Sequence, residues 1–159
     1  MSVIALDFDG TLMALAPRGF YSKKDIGAEK VLKELVAKGH KLVLWTCRNN
    51  SKKNPYNYHL VGGKWREETS LGEAVRWFQE RGIPLAGINE YTPGEKIVGK
   101  STKVLADVVI DDTGLGTPIK EDTIDVYSIR TGRKSKHPRK TRYVDWEAAR
   151  ILLIEKGLL

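Results

Sequence analysis

Cysteine is almost absent: Cys47 stands alone among 159 residues, so no intrachain disulfide can form and a disulfide-stapled scaffold is excluded. A reducing, cytoplasmic setting is the simplest expectation. Long apolar runs are missing as well. The stretches at Val3–Leu6 and Val108–Ile110 fall far short of the roughly 18 residues needed to cross a bilayer, so no membrane partner is expected. No basic leader precedes the first apolar run, and an acidic pair follows it, which argues against a secretory signal. Internal repeats and linker-like low-complexity segments are also lacking, so residues 1–159 read as one domain. What remains, 41% hydrophobic and 30% charged, suits a globular domain with its own core rather than a disordered or collagen-like chain.

The charge is lopsided. Lys and Arg number 27 against 20 acids, a formal excess of +7. Arg130, Arg133, Lys134, Lys136, Arg139, Lys140 and Arg142 form an acid-free strip at 130–142, and without those seven the two signs balance. Such a strip either is a solvated loop or attracts phosphates, nucleic acid or an anionic surface. Gly132 and Pro138 argue against a continuous helix there.

Val3-Ile4-Ala5-Leu6 is continuously apolar, as in a strand buried on both faces of a parallel sheet. Ala28, Val31, Leu32, Leu35 and Val36 recur at helical spacing and stop before Gly39. Residues 42–45 form a second buried-strand candidate. Ser70 and Glu73 have capping-box spacing ahead of Leu71, Ala74, Val75 and Phe78, with Gly82 closing that helix. Strands are expected near 86–88, at 104–110 and at 124–129, and a helix capped by Asp145 at about 145–156. Alternating strands and helices predict an α/β fold of three layers around a mainly parallel central sheet. In such sheets ligands bind outside the carboxyl ends of the strands.

Those ends carry polar residues. The first strand runs into Asp7-Phe8-Asp9-Gly10-Thr11-Leu12, the second into Thr46-Cys47-Arg48, and the fourth starts near Lys103 and ends at Asp111-Asp112. A carboxylate can attack phosphorus and divide one hard displacement into two. Both partners are anionic, so a hard cation such as Mg2+ is needed between them, and Asp7 with Asp111 or Asp112 supplies its oxygen ligands. Residues i and i+2 of an extended segment point the same way, so Asp9 can protonate the leaving oxygen and later take a proton from water. Gly10 permits a sharp turn. Thr46 and a lysine can meet charge developing on the phosphoryl oxygens. Singly, each is equally a turn, a cap or a solvated side chain; a calcium loop fails because Leu12 and Arg18 stand where it needs glycine and glutamate.

With DFDGTL at 7–12, Thr46, Lys103 and ADVVIDD at 106–112, the chain resembles the haloacid dehalogenase (HAD) superfamily of hydrolases. The resemblance implies a Rossmann-like domain with Asp7 as nucleophile, Asp9 as general acid/base, and Thr46 and Lys103 (or Lys100) on the phosphoryl group. Mg2+ would sit on Asp7, the main-chain carbonyl of Asp9 and the 111–112 pair, Asp112 directly and Asp111 through water. An acid at position 9 favours hydrolysis over a stable phosphoenzyme, which makes the expected activity that of a phosphatase. Gly10, Thr11, Cys47 and Arg48 complete the expected phosphate-binding surface.

The spans from Leu12 to Asp25 and from 89 to 100 are too short for a separate cap domain, so the resemblance favours a large substrate, a nucleotide or a lid supplied by another subunit, and the expected substrate is a nucleotide or a nucleic-acid terminal phosphate. The 48–69 segment, with Lys52, Lys53, Tyr56, Tyr58, His59, Lys64, Trp65 and Arg66, either substitutes for a cap or packs as a surface hairpin. The alternatives are an inactive HAD-fold nucleic-acid-binding module, a small-metabolite phosphatase, and a phospho-accepting receiver domain; the last lacks the aspartate it would need after the second strand.

Overall fold

Four parallel strands carry the site. In the computed structural model, which describes residues 1–50, 58–61, 64–67, 69–90 and 104–159, the strands and helices follow in this order. They are β1 (Val3–Leu6), β2 (Phe20–Ser22), α1 (Ala28–Ala37), β3 (Lys41–Leu44), β4 (Tyr58–Val61), β5 (Lys64–Glu67), α2 (Ser70–Glu80), β6 (Gly87–Ile88), β7 (Val108–Ile110), β8 (Ile119–Ile124), β9 (Val126–Ser128), β10 (Arg139–Val144) and α3 (Trp146–Glu155). The central sheet has the order β6-β3-β1-β7, all parallel, with Ile4 beside both Leu42 and Val108. The chain moves outward from β1 through β3 to β6 and then returns to the far side of β1 as β7. The boundary between β1 and β7 is therefore a topological switch point, where their carboxyl ends open a crevice.

Alternation along the strands divides the core. Ile4, Leu6, Leu42 and Leu44 point to one face and share a cluster with all three helices; Ala5 and Val43 point to the other, where they meet Val104. On the helical face α1 lies between its neighbours, joined to the end of α2 by Arg81–Glu29 (3.2 Å) and to α3 by Arg150–Glu34 (2.7 Å). The expected third layer is thus not among the described helices; the α/β class and the parallel sheet are as expected.

Helix α1 is built from strong helix formers, with Ala28, Val31, Leu32 and Leu35 on its buried stripe. Burying Leu32 and Leu35 completely is worth about 1.5–3 kcal/mol each. Gly39 follows its C-cap at φ 83°, the left-handed conformation that glycine adopts without strain. The start of α2 differs from expectation by one residue. Thr69 is the N-cap and accepts from Gly72 N–H (3.0 Å), while Ser70 exchanges hydrogen bonds with the backbone of Asn49. Glu73, expected to complete a capping box, turns instead to Arg48. Asp145 caps α3 as anticipated, accepting from Glu147 and Ala148 N–H.

Three antiparallel pairs, β2–β9, β4–β5 and β8–β10, lie beside the central sheet. The basic strip is accordingly only partly loop: its second half is β10, paired with β8 from Arg139↔Ile124 to Val144↔Ile119. The strand expected at 104–110 is shortened to β7. Among the described residues, no helix is long and apolar enough to cross a membrane.

Candidate functional site

Asp7 is the first residue beyond β1, and its N–H donates to Ile110 O (3.0 Å), extending the β1–β7 pairing to the sheet edge. That one bond sets Asp7 against the loop after β7. Carboxylate oxygens of Asp7, Asp111 and Asp112 all lie within 4.8 Å of one another. Three acids this close repel. Burial pushes the Asp7 carboxyl above its ordinary 3.8; hydrogen bonds from Phe8 N–H and the Thr46 hydroxyl oppose the rise, and the charges of Asp111 and Asp9 add to it. Asp112 is likewise raised by burial and by Asp111, against the pull of Arg142. A hard, oxygen-seeking dication would relieve both effects, so the donor set fits Mg2+.

The surrounding loops are tied together through Thr11. This residue is fully buried; its hydroxyl accepts from Asp112 N–H (3.0 Å) and its carbonyl from the Trp146 indole (2.7 Å). Thr11 therefore joins two loops and α3 rather than forming the phosphate-binding surface expected of it. Gly10, at φ 74°, passes so close to Asp112 that an added Cβ would stand 2.6 Å from its Oδ2. The sharp turn expected at Gly10 is present, and the close approach is a second reason for glycine.

Thr46 follows β3. Its N–H donates to Asn89 Oδ1 (2.8 Å), and Asn89, left-handed at φ 53°, donates its own N–H to Leu44 O. Arg48 crosses the ring of Phe8 at 4.4 Å and grips Asp9 with two bonds, Nε to Oδ2 (2.8 Å) and a terminal nitrogen to Oδ1 (2.7 Å). Its other terminal nitrogen reaches Glu73 and the carbonyl of Ser70. Burial disfavours the guanidinium charge, but Asp9 and Glu73 outweigh that and raise its pKa.

Asp7, Asp111, Asp112 and Thr46 thus come together, and Asp9 and Arg48 form an adjoining pair. The Asp9 side chain lies on Arg48, outside the three-acid group. Asp111 Oδ1 accepts from both the N–H and the hydroxyl of Thr113, which orients it. Cys47 is exposed. Lys100 and Lys103 lie outside the described residues, as do Lys52, Lys53 and Tyr56; the side chains of 58–61 and 64–67 are not described either.

Sequence reading missed three contributors. Glu73 was legible only as a cap partner, Asn89 as an ordinary loop residue, and Arg142 as one cation in a strip. In the fold Arg142 stands 3.8 Å from Asp112. Nothing in the local pattern around these residues marks contacts with chain positions 25 to 43 residues away.

No protein-family model matches the sequence, and no curated protein does either. Among solved structures, the chain is similar to one described as the conserved protein coded by locus from Bacteroides thetaiotaomicron, at 30% identity over 72% of this chain and 78% of that one, with a TM-score of 0.52.

Proposed function

We propose that this chain, which belongs to one family with that conserved Bacteroides thetaiotaomicron protein, is a magnesium-dependent phosphomonoesterase of the HAD type with a Rossmann-like domain. The observation that carries the reading is the meeting of Asp7, Asp111 and Asp112 at the switch point with the Thr46 hydroxyl against Asp7. An acidic cluster alone would not suffice. A nucleophile-capable carboxylate, a second acid two residues on and a hydroxyl just beyond the neighbouring strand are the parts a two-step phosphoryl transfer requires.

Asp7, Asp111 and Asp112 would hold Mg2+, which when bound supplies positive charge to offset that of the phosphoryl oxygens. The Asp7 carboxylate attacks phosphorus, forming an aspartyl phosphate as the bond to the leaving oxygen breaks. Asp9 gives that oxygen its proton. Water then attacks the aspartyl phosphate, passes a proton back to Asp9, and releases phosphate and free Asp7. Arg48 holds Asp9 in place as the carboxylate through both of its oxygens, and one of those bonds opens when Asp9 carries the proton. Thr46, held through its backbone by Asn89, keeps its hydroxyl at the reacting carboxylate.

The test is hydrolysis of p-nitrophenyl phosphate. Turnover is expected with Mg2+, is expected to vanish with EDTA and return on adding the metal back, and is expected to fall at least about 10³-fold in Asp7→Asn. Loss of Asp9 in Asp9→Asn should cost about 10²–10⁴-fold, the usual worth of general acid–base catalysis. Turnover indifferent to EDTA, or retained in Asp7→Asn, overturns the reading. Salt-sensitive oligonucleotide binding that is unaffected by Asp7→Asn, without turnover, would favour a binding module on the same fold.

A further inference from the structure

We propose that the cavity beside Asp9 receives the alcohol half of the substrate and that its walls select a nucleoside monophosphate. This rests on the phosphomonoesterase reading above. The cavity measures about 270 Å³ and is walled by three separate parts of the fold: the turn after β1, strand β2, and α2, with Ile129 closing one side. Asp9 and Arg48 are part of its lining.

Position follows from the reaction. In an in-line displacement the leaving oxygen departs on the side of phosphorus opposite the attacking group. That oxygen must also come within hydrogen-bond reach of Asp9. An ester whose phosphoryl group meets Asp7 therefore extends past Asp9, and the cavity that Asp9 lines is where its alcohol half comes to rest.

The walls differ in character. Met13, Leu15, Phe20 and Ile129 present apolar surface, while Glu73 and Arg76 line the α2 side. An occupant with apolar faces and a hydrogen-bonding edge matches both, and a nucleobase has that construction. A bare polyol would leave the apolar walls without a partner. The volume sits just below the roughly 300–1,000 Å³ range of small-molecule sites, which suits one nucleoside and not a stacked pair.

With Mg2+ and the full chain, kcat/KM for adenosine 5′-monophosphate is expected to exceed that for glycerol 3-phosphate by at least tenfold. Phe20→Ala should shrink that ratio at least fivefold, mainly through KM for the nucleotide. Because Phe20 also packs against the core, Leu15→Ala is the companion variant: Leu15 is 41% exposed, and its truncation leaves the fold intact while lowering the same ratio. Binding is read separately, by titrating unphosphorylated adenosine into metal-free protein and following the backbone amide resonances of Phe20, Tyr21 and Ile129. Shifts at those amides are expected. Equal kcat/KM for the two esters, or adenosine leaving all three amides unmoved, overturns the proposal. Faster turnover of a 5′-phosphorylated trinucleotide than of the mononucleotide overturns its single-nucleoside limit. If no ester is hydrolysed yet adenosine shifts the amides, the phosphomonoesterase reading falls and the nucleoside site stands.

Discussion

Arg48 is the residue on which most of the site's polar geometry converges. It spans Asp9, Glu73 and the Ser70 carbonyl while lying over Phe8, so a single planar fork fixes the start of α2 against the turn after β1. Lysine has the charge but not the fork. Arg48→Lys is therefore expected to retain most of the stability and to lose about 10²-fold in kcat, since Asp9 would keep a cation but not its orientation. Arg48→Ala should in addition lower stability by about 2–4 kcal/mol, because the two bonds to Asp9, the bonds to Glu73 and the Ser70 carbonyl, and the contact with Phe8 are lost together; the figure is set below that of a fully buried pair, as Asp9 is partly exposed. Steady-state kinetics and urea denaturation separate the two effects. Wild-type kcat in Arg48→Lys would remove Arg48 from any positioning role.

Among the elements, the β8–β10 pair shows both what the sequence conceals and what it costs to hold a polar strand in place. Strand β8 reads IKEDTI and only Ile124 is buried, so it has no hydrophobic alternation to announce it. It is defined by its pairing with β10, whose buried Tyr143 and Val144 anchor the pair to the core. By contrast β1, β3, α1 and α3 were legible because burial on both faces, a 3.6-residue stripe, a left-handed glycine and an Asp cap each leave a local trace. The acids at 7, 111 and 112 were legible as strand-end residues, whereas the Arg48–Glu73 contact was not, because Ser70 and Glu73 satisfy a capping-box pattern that the chain does not use. On β8, Asp122 accepts from Thr123 N–H (2.7 Å) and the Tyr143 hydroxyl (3.1 Å) and pairs with Lys24 (3.2 Å). These partners, the backbone N–H first, hold its carboxyl below the ordinary 3.8. A lowered carboxylate contributes stability that is present above 3.8 and is lost as pH falls through its depressed value. The stability gap between wild type and Asp122→Asn should accordingly be widest near neutral pH and close on acidification below about 3.8, as calorimetric melting at several pH values would register. A gap independent of pH would mean that Asp122 contributes shape rather than charge.

For the molecule as a whole, the positive excess has a direction. Arg142 reaches toward Asp112, and Lys134 is paired with Asp125 at 2.6 Å, while Arg139 and Lys140 remain exposed on β10. On the proposed reading, a basic edge next to a site for an anionic ester raises the encounter rate, and salt screens the effect. Replacing both exposed cations in Arg139→Glu/Lys140→Glu is expected to lower kcat/KM about three- to tenfold at about 10 mM ionic strength. The difference should vanish near 1 M salt, where the Debye length is about 3 Å. A salt-independent deficit in stopped-assay rates would point to distortion of the β8–β10 pair instead. The buried peg at Thr11 has a different reach. Through one threonine, the loop bearing Asp112 and the indole of Trp146 share a single mechanical joint, so whatever tightens the acid-bearing loops must also be felt at the base of α3. The chain thereby carries its own optical gauge: the emission of the shielded Trp146 should track cation loading from the interior side.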